Sequence, residues 1–264
     1  MNDEKNLTLK EAYNLAVKNH QNNNLQDAQN YYHKVLKIDP NFLSAHNNLG
    51  AIFKELGELQ KAKNCFEKAI EIDPRFVKAH NNLGVIFLKL GEKKKAKECY
   101  EKTIEINPGY VKAHNNLGVI LQEFGELQKA KECYEKAIEI DPNYAEAHNN
   151  LGTTFKELGE LQKAKSCYEK AIEINPNSNM ALFNRGEIFF EEEKFELSLM
   201  DFDNCNTSDS RYRALISLYA LGHIDEIYKR IEKNSQLDEK NLKVAAFSSF
   251  IAYKKKKVLP KIFA

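Results

Sequence analysis

Ala45-His46-Asn47-Asn48-Leu49-Gly50 returns at residues 79–84, 113–118 and 147–152, each copy 34 residues after the last. The surroundings repeat with it. Glu58-Leu59-Gln60-Lys61-Ala62-Lys63 recurs at residues 126–131 and 160–165, and a proline closes successive units at Pro40, Pro74, Pro108, Pro142 and Pro176. A fixed period of this length marks an array whose units cannot bury their own apolar faces and must stack on their neighbours. The repeat therefore predicts an all-α solenoid, and function must be sought on a surface made by stacking.

Counting from two residues past each proline gives six units, at 9–42, 43–76, 77–110, 111–144, 145–178 and 179–212, after a polar extension at 1–8. In the second unit Ala45, Leu49, Ile52 and Phe53 fall at spacings of three and four, one stripe of a first helix. Gly57 supplies its C-terminal cap. Leu59, Ala62, Phe66, Ala69 and Ile70 form the stripe of a second helix, which ends at Asp73 because a residue before proline is pushed out of the helical region. Gly50 and its echoes Gly84, Gly118, Gly152 and Gly186 lie inside first helices, where glycine costs about 1 kcal/mol relative to alanine. Close helix contact is the expected reason, with the alanines of the Ala62 register as the facing small residues.

The residues Leu49-Gly50, Phe53, Ala62, Phe66, Ala69 and Pro74, with their echoes, resemble the tetratricopeptide repeat pattern. That resemblance implies a right-handed superhelix whose first helices line a concave groove for peptides or protein segments. The first unit departs at Ala16, in place of the glycine, and the sixth at Ser198, Cys205 and Ser210, in place of two alanines and the proline. Beyond residue 212 the period fades. Residues 213–235 still read as a degenerate helix pair, and 236–264 as a capping helix, begun by Asp238 and bearing Leu242, Ala245, Ala246 and Phe250, with a lysine-rich tail at Lys254 to Lys257.

Within each first helix the sixth position is asparagine: Asn14, Asn48, Asn82, Asn116, Asn150 and Asn184. Asparagine is a poor helix former, and its amide offers the donor and acceptor that a peptide group needs. Rungs at a helix-packing distance of roughly 10 Å match about three residues of extended chain at about 3.3 Å each. These six, with Asn47, Asn81, Asn115 and Asn149 beside them and Lys78 and Lys112 at the rim, are the candidate peptide-binding residues. Hydrogen bonding between neighbouring helices is the competing role. Such a ladder resembles the groove of the O-linked N-acetylglucosamine transferase superhelix. Other members of the repeat family hold a C-terminal carboxylate through a lysine-rich clamp, but Tyr13 or Asn47, and Asn82 with Asn116, stand at clamp positions, which argues against that mode.

Lys plus Arg number 39 against 38 Asp plus Glu, a net charge of +1, so no global field draws nucleic acid or an anionic membrane. No apolar run approaches the length of a membrane span, which places the expected location in the cytoplasm. Cys65, Cys99, Cys133 and Cys167 share one register, too far apart for disulfides and read as packing residues. His46, His80, His114 and His148 likewise read as tying helices together, with no carboxylate at ligand spacing. No cofactor, metal or catalytic constellation is expected. The leading expectation is a scaffold for protein or peptide segments, its ends open to self-association; the alternative is the substrate-selecting arm of a truncated or split glycosyltransferase-like enzyme.

Overall fold

The computed structural model describes residues 7–234 and 243–251. Helices come in consecutive antiparallel pairs: α1 (Leu9–Gln21) with α2 (Leu25–Ile38), α3 (Leu43–Glu55) with α4 (Leu59–Ile72), α5 (Val77–Lys89) with α6 (Lys93–Ile106), α7 (Val111–Glu123) with α8 (Leu127–Ile140), α9 (Ala145–Glu157) with α10 (Leu161–Ile174), α11 (Asn179–Glu191) with α12 (Phe195–Asn204), and α13 (Ser208–Ala220) with α14 (Ile224–Lys233). There is no strand among the described residues, and none of their helices is long and apolar enough to cross a membrane. The chain divides into two compact bodies of several repeats each, called from here the first unit, Met1–Ile140, and the second unit, Asp141–Ala264. In the first, the pairs from α1 to α8 stack in chain order; in the second, those from α9 to α14 do the same.

The turn inside each pair follows from one left-handed residue. Gly57 has φ +77°, which lets Glu58 N–H reach back to the Phe53 carbonyl at 2.8 Å and close the helix end. Gly91, Gly125 and Gly159 repeat this, whereas Asn23 and Glu193 adopt the same conformation without glycine in the first and sixth pairs. Between pairs, the Asp73 carboxylate accepts the Arg75 N–H at 2.9 Å and fixes the turn around Pro74. The same local bond recurs at Asp39, Asn107, Asp141 and Asn175.

Gly50 meets a ring where an alanine was expected: a Cβ there would lie 2.7 Å from Phe66 Cε1. Tyr100, Tyr134, Tyr168 and Phe202 stand against Gly84, Gly118, Gly152 and Gly186 in the same way. The small first-helix residue makes room for an aromatic edge from its own partner helix, while the alanines of the Ala62 register are buried beside it.

The sixth repeat, 179–212, departs further than the sequence indicates. Its second helix α12 stops at Asn204, and α13 begins at Ser208 under a capping box in which Thr207 and Ser210 satisfy each other's backbone N–H groups. The expected boundary at 212 therefore falls inside a helix. Ser198, at an alanine register, is buried and shares a hydrogen bond with Ser217 of α13 at 3.2 Å. Residues 243–251 are helical, and Val244 and Ile251 join Leu215, Leu218 and Ile227 in one buried cluster. Asp238, Leu242 and Lys254 to Lys257 lie outside the described residues, as do residues 1–6 of the expected extension.

All the described cysteines are free thiols. Burial pushes Cys65 and Cys133 up to about 11 and Cys99 up to about 12, from an ordinary value of 9.0. Because the thiolate is the reactive form, these three are expected to react with a disulfide reagent at pH 8 much more slowly in the native chain than in the unfolded one. Fast stoichiometric labelling of the native chain would contradict this. The same shifts act on stability: above pH 9 the unfolded thiols lose protons that the folded ones keep, so the melting temperature should fall as pH rises from about 9 towards 11 and be unaffected by these groups below that window.

Candidate peptide-binding face

On a first helix, positions 45, 49, 52 and 53 turn inward and are buried, which leaves the adjoining registers of Asn47 and Asn48 towards the edge of the core. The two asparagines have different fates. Asn47, Asn81, Asn115 and Asn149 are buried, none more than 7% exposed. Their expected place in an open groove is thus corrected, because adjacent helical residues point about 100° apart and this register faces the neighbouring first helix. Asn48, Asn82, Asn116, Asn150 and Asn184 are half-buried, and Asn14, on the first helix, is exposed.

The two registers bond to each other. Asn82 Nδ2 donates to Asn47 Oδ1 of the preceding pair at 3.2 Å, and Asn184 Nδ2 donates to Asn149 Oδ1 at 3.2 Å. Within one helix, Asn47 Nδ2 donates to Asn48 Oδ1 at 3.2 Å and Asn149 Nδ2 to Asn150 Oδ1 at 3.3 Å. Asn48 Nδ2 donates to Tyr32 Oη at 3.1 Å and approaches Tyr13 Oη at 3.4 Å. The ladder is therefore in part a link between first helices. Asn116 is the exception: its amide lies against the Tyr100 phenol, whose Oη makes no well-formed hydrogen bond, and Asn81 Oδ1 of the preceding pair is buried without a partner. In the first unit Asn82 Oδ1 accepts no hydrogen bond from a described residue, so an acceptor edge stays open to a ligand N–H.

Charge on this face is not compensated as it is elsewhere. Second-helix lysines are matched by glutamates three or four residues away, as in Lys61 with Glu58, Lys68 with Glu71 and Lys102 with Glu105. Lys10, Lys78 and Lys112, each the second residue of a first helix, are exposed and have no ion-pair partner among the described residues.

The histidines prove to be local ties. Nε2 of His46, His80, His114 and His148 lies 2.8–2.9 Å from the carbonyl oxygen of the proline six residues earlier, so each ring braces the turn leading into its own helix. No group of histidine, cysteine, aspartate and glutamate among the described residues is arranged to hold a metal ion.

Sequence reasoning missed one pair. Arg185 occupies the leucine register of Leu49, Leu83, Leu117 and Leu151, and Asp201 occupies the cysteine register of Cys65, Cys99, Cys133 and Cys167. They meet through two bonds, Nε to Oδ2 at 2.8 Å and Nη2 to Oδ1 at 2.6 Å, with the Asp201 side chain 1% exposed. Two simultaneous departures sixteen residues apart, one to each sign, were the available signal.

A tetratricopeptide repeat family model matches residues 44–76 and 77–110, and a second of the same description matches 109–177, together just over half of the chain. No curated protein matches the sequence. Among solved structures, the crystal structure of MamA is 28% identical and superposes with a TM-score of 0.56, over 61% of this chain and 95% of that one. PilF of Pseudomonas aeruginosa is 22% identical with a TM-score of 0.69, over 78% of this chain and 96% of that one. YrrB, described as a TPR protein with an unusual peptide-binding site, is 22% identical with a TM-score of 0.56, over 72% of this chain and 97% of that one. At these identities the last two speak to the fold alone.

Proposed function

This chain belongs to the tetratricopeptide repeat family, and from that premise we propose that it is a non-catalytic scaffold holding extended segments of partner proteins against the faces of its first helices. The observation that carries the proposal is the juxtaposition, within Met1–Ile140, of half-buried amides, Asn82 among them with an open acceptor edge, and a row of uncompensated lysines. An extended segment would donate backbone N–H groups to the amide oxygens, as in the transferase ladder these rungs resemble, and set acidic side chains against Lys10, Lys78 and Lys112. Because part of the ladder is already engaged inside the protein, the grip would come from the exposed rung edges, not from both atoms of every amide.

The lysines provide the test. With Lys78→Glu and Lys112→Glu together, binding of an acidic peptide captured by the full chain should weaken at least about tenfold at low ionic strength and recover part of the difference in high salt, where exposed charges are screened. An affinity that is unchanged, or that falls equally for a neutral peptide, would remove the lysines from the binding face.

A further inference from the structure

The second unit presents different chemistry at the same register. Where the first unit carries Lys78 and Lys112, the second carries Glu146 and then Met180, and Asp209 stands at the corresponding second position of α13. Met180 is 64% exposed, high for a side chain of its size. It lines a cleft of about 250 Å³ with Asn179, Phe183, Asn184, Thr207 and Asp209.

The polar groups there are satisfied or are acceptors. Asn179 Oδ1 accepts the Asn206 N–H at 3.0 Å, Thr207 Oγ1 accepts the Ser210 N–H at 3.1 Å, and Asp209 Oδ1 takes Lys243 Nζ at 3.0 Å. Asn184 spends its Nδ2 on Asn149, and its Oδ1 accepts no hydrogen bond from a described residue. Met180 and Phe183 supply the apolar wall, and among the described residues no cation lines the cleft itself, Lys243 standing behind Asp209. The volume lies below the 300–1,000 Å³ typical of cofactor and drug-sized ligands, so it suits one side chain and not a free small molecule. An apolar wall rewards a large apolar group, and the free amide oxygen rewards the N–H of the same segment; with Asp209 paired to Lys243, it is Glu146, at the register of Met180 one repeat earlier, that disfavours acidic neighbours.

We propose that the second unit docks a single large apolar side chain of an extended segment in the cleft walled by Met180 and Phe183, with the segment's N–H on Asn184 Oδ1. This deepens the proposed function and rests on the reading that first-helix faces hold extended segments, but it assigns the second unit a specificity opposite to that of the first: apolar and without acidic flanks.

The probe is a fluorescein-labelled peptide, Gly-Ser-Lys-Leu-Phe-Leu-Lys-Ser-Gly, titrated with the full chain by anisotropy. Saturable binding is expected, weaker by about tenfold when the central Phe is replaced by Ser, when both Lys are replaced by Glu, or when the protein carries Met180→Lys. The exposure of Met180 protects the fold, which a thermal melt checks. Binding that is absent up to millimolar protein, or indifferent to Met180→Lys, would overturn the proposal. A tenfold loss of this peptide's affinity in the Lys78→Glu and Lys112→Glu variant would overturn it as well, because those lysines belong to the other, acid-binding face. Loss of the acidic-peptide effect alone would count against the first-unit reading and leave this one standing.

Discussion

Gly118→Leu is expected to destabilise the first unit by about 3 kcal/mol or more, at the top of the range for overpacked cores. A Cβ at this position would lie 2.6 Å from Tyr134 Cε1 and 2.9 Å from two further ring atoms, and Tyr134 is fully buried. The ring has no free space to enter. Leucine gains up to about 1 kcal/mol in helix propensity over glycine, which is too little to offset the clash. Asn116→Ala, two residues away, should cost no more than about 0.5–1.5 kcal/mol, the worth of an ordinary hydrogen bond. For a chain of this size the glycine variant should lower the melting temperature by roughly 10 °C, at about 2–4 °C per kcal/mol. A midpoint within about 2 °C of the parent would mean the glycines do not make room for the rings.

The second large effect is a rescue. Arg185→Leu alone strands the buried Asp201 carboxylate, and removing one partner of a buried ion pair costs about 3–5 kcal/mol. Asp201→Cys alone leaves the half-buried Arg185 guanidinium without its two acceptors and should be similarly harmful. Together the two changes restore the leucine and cysteine found at these registers in four other pairs, and replacing a buried ion pair by apolar groups of similar size is often neutral or stabilising. The double variant should therefore melt at or above the parent. Losses that simply add would show that the pair does not act as one unit.

Much of this architecture was legible in the 34-residue period. Helices α1, α3, α5, α7, α9 and α11 begin at the residues that open the six units. The period could not place α13, because the boundary there depends on where α12 ends: with Ser210 in place of the proline, the capping box at Thr207 decides it. The ring against each glycine was also within reach, since the aromatic register lies sixteen residues after the glycine in all five copies. Which asparagine of each adjacent pair is buried was not legible. Both lie near the edge of the core, and only the approach of the neighbouring first helix puts Asn47 inside and leaves Asn48 at the surface.

The central claim is that the exposed rung edges of the Asn48 register within Met1–Ile140 hold the backbone of a bound segment, and the double variant Asn82→Ala and Asn116→Ala tests it most directly. Each lost hydrogen bond is worth about 0.5–1.5 kcal/mol, whether to a ligand or, for Asn82, to the buried Asn47, so the variant should stay folded with a modestly lowered melting temperature. Isotherms for two captured peptides of unrelated sequence are the measurement. A similar loss of at least about tenfold for both, equivalent to about 1.4 kcal/mol, is the result expected of groups that read backbone; unchanged affinity for both in a folded variant would show that the asparagines only join helices and that partners bind elsewhere.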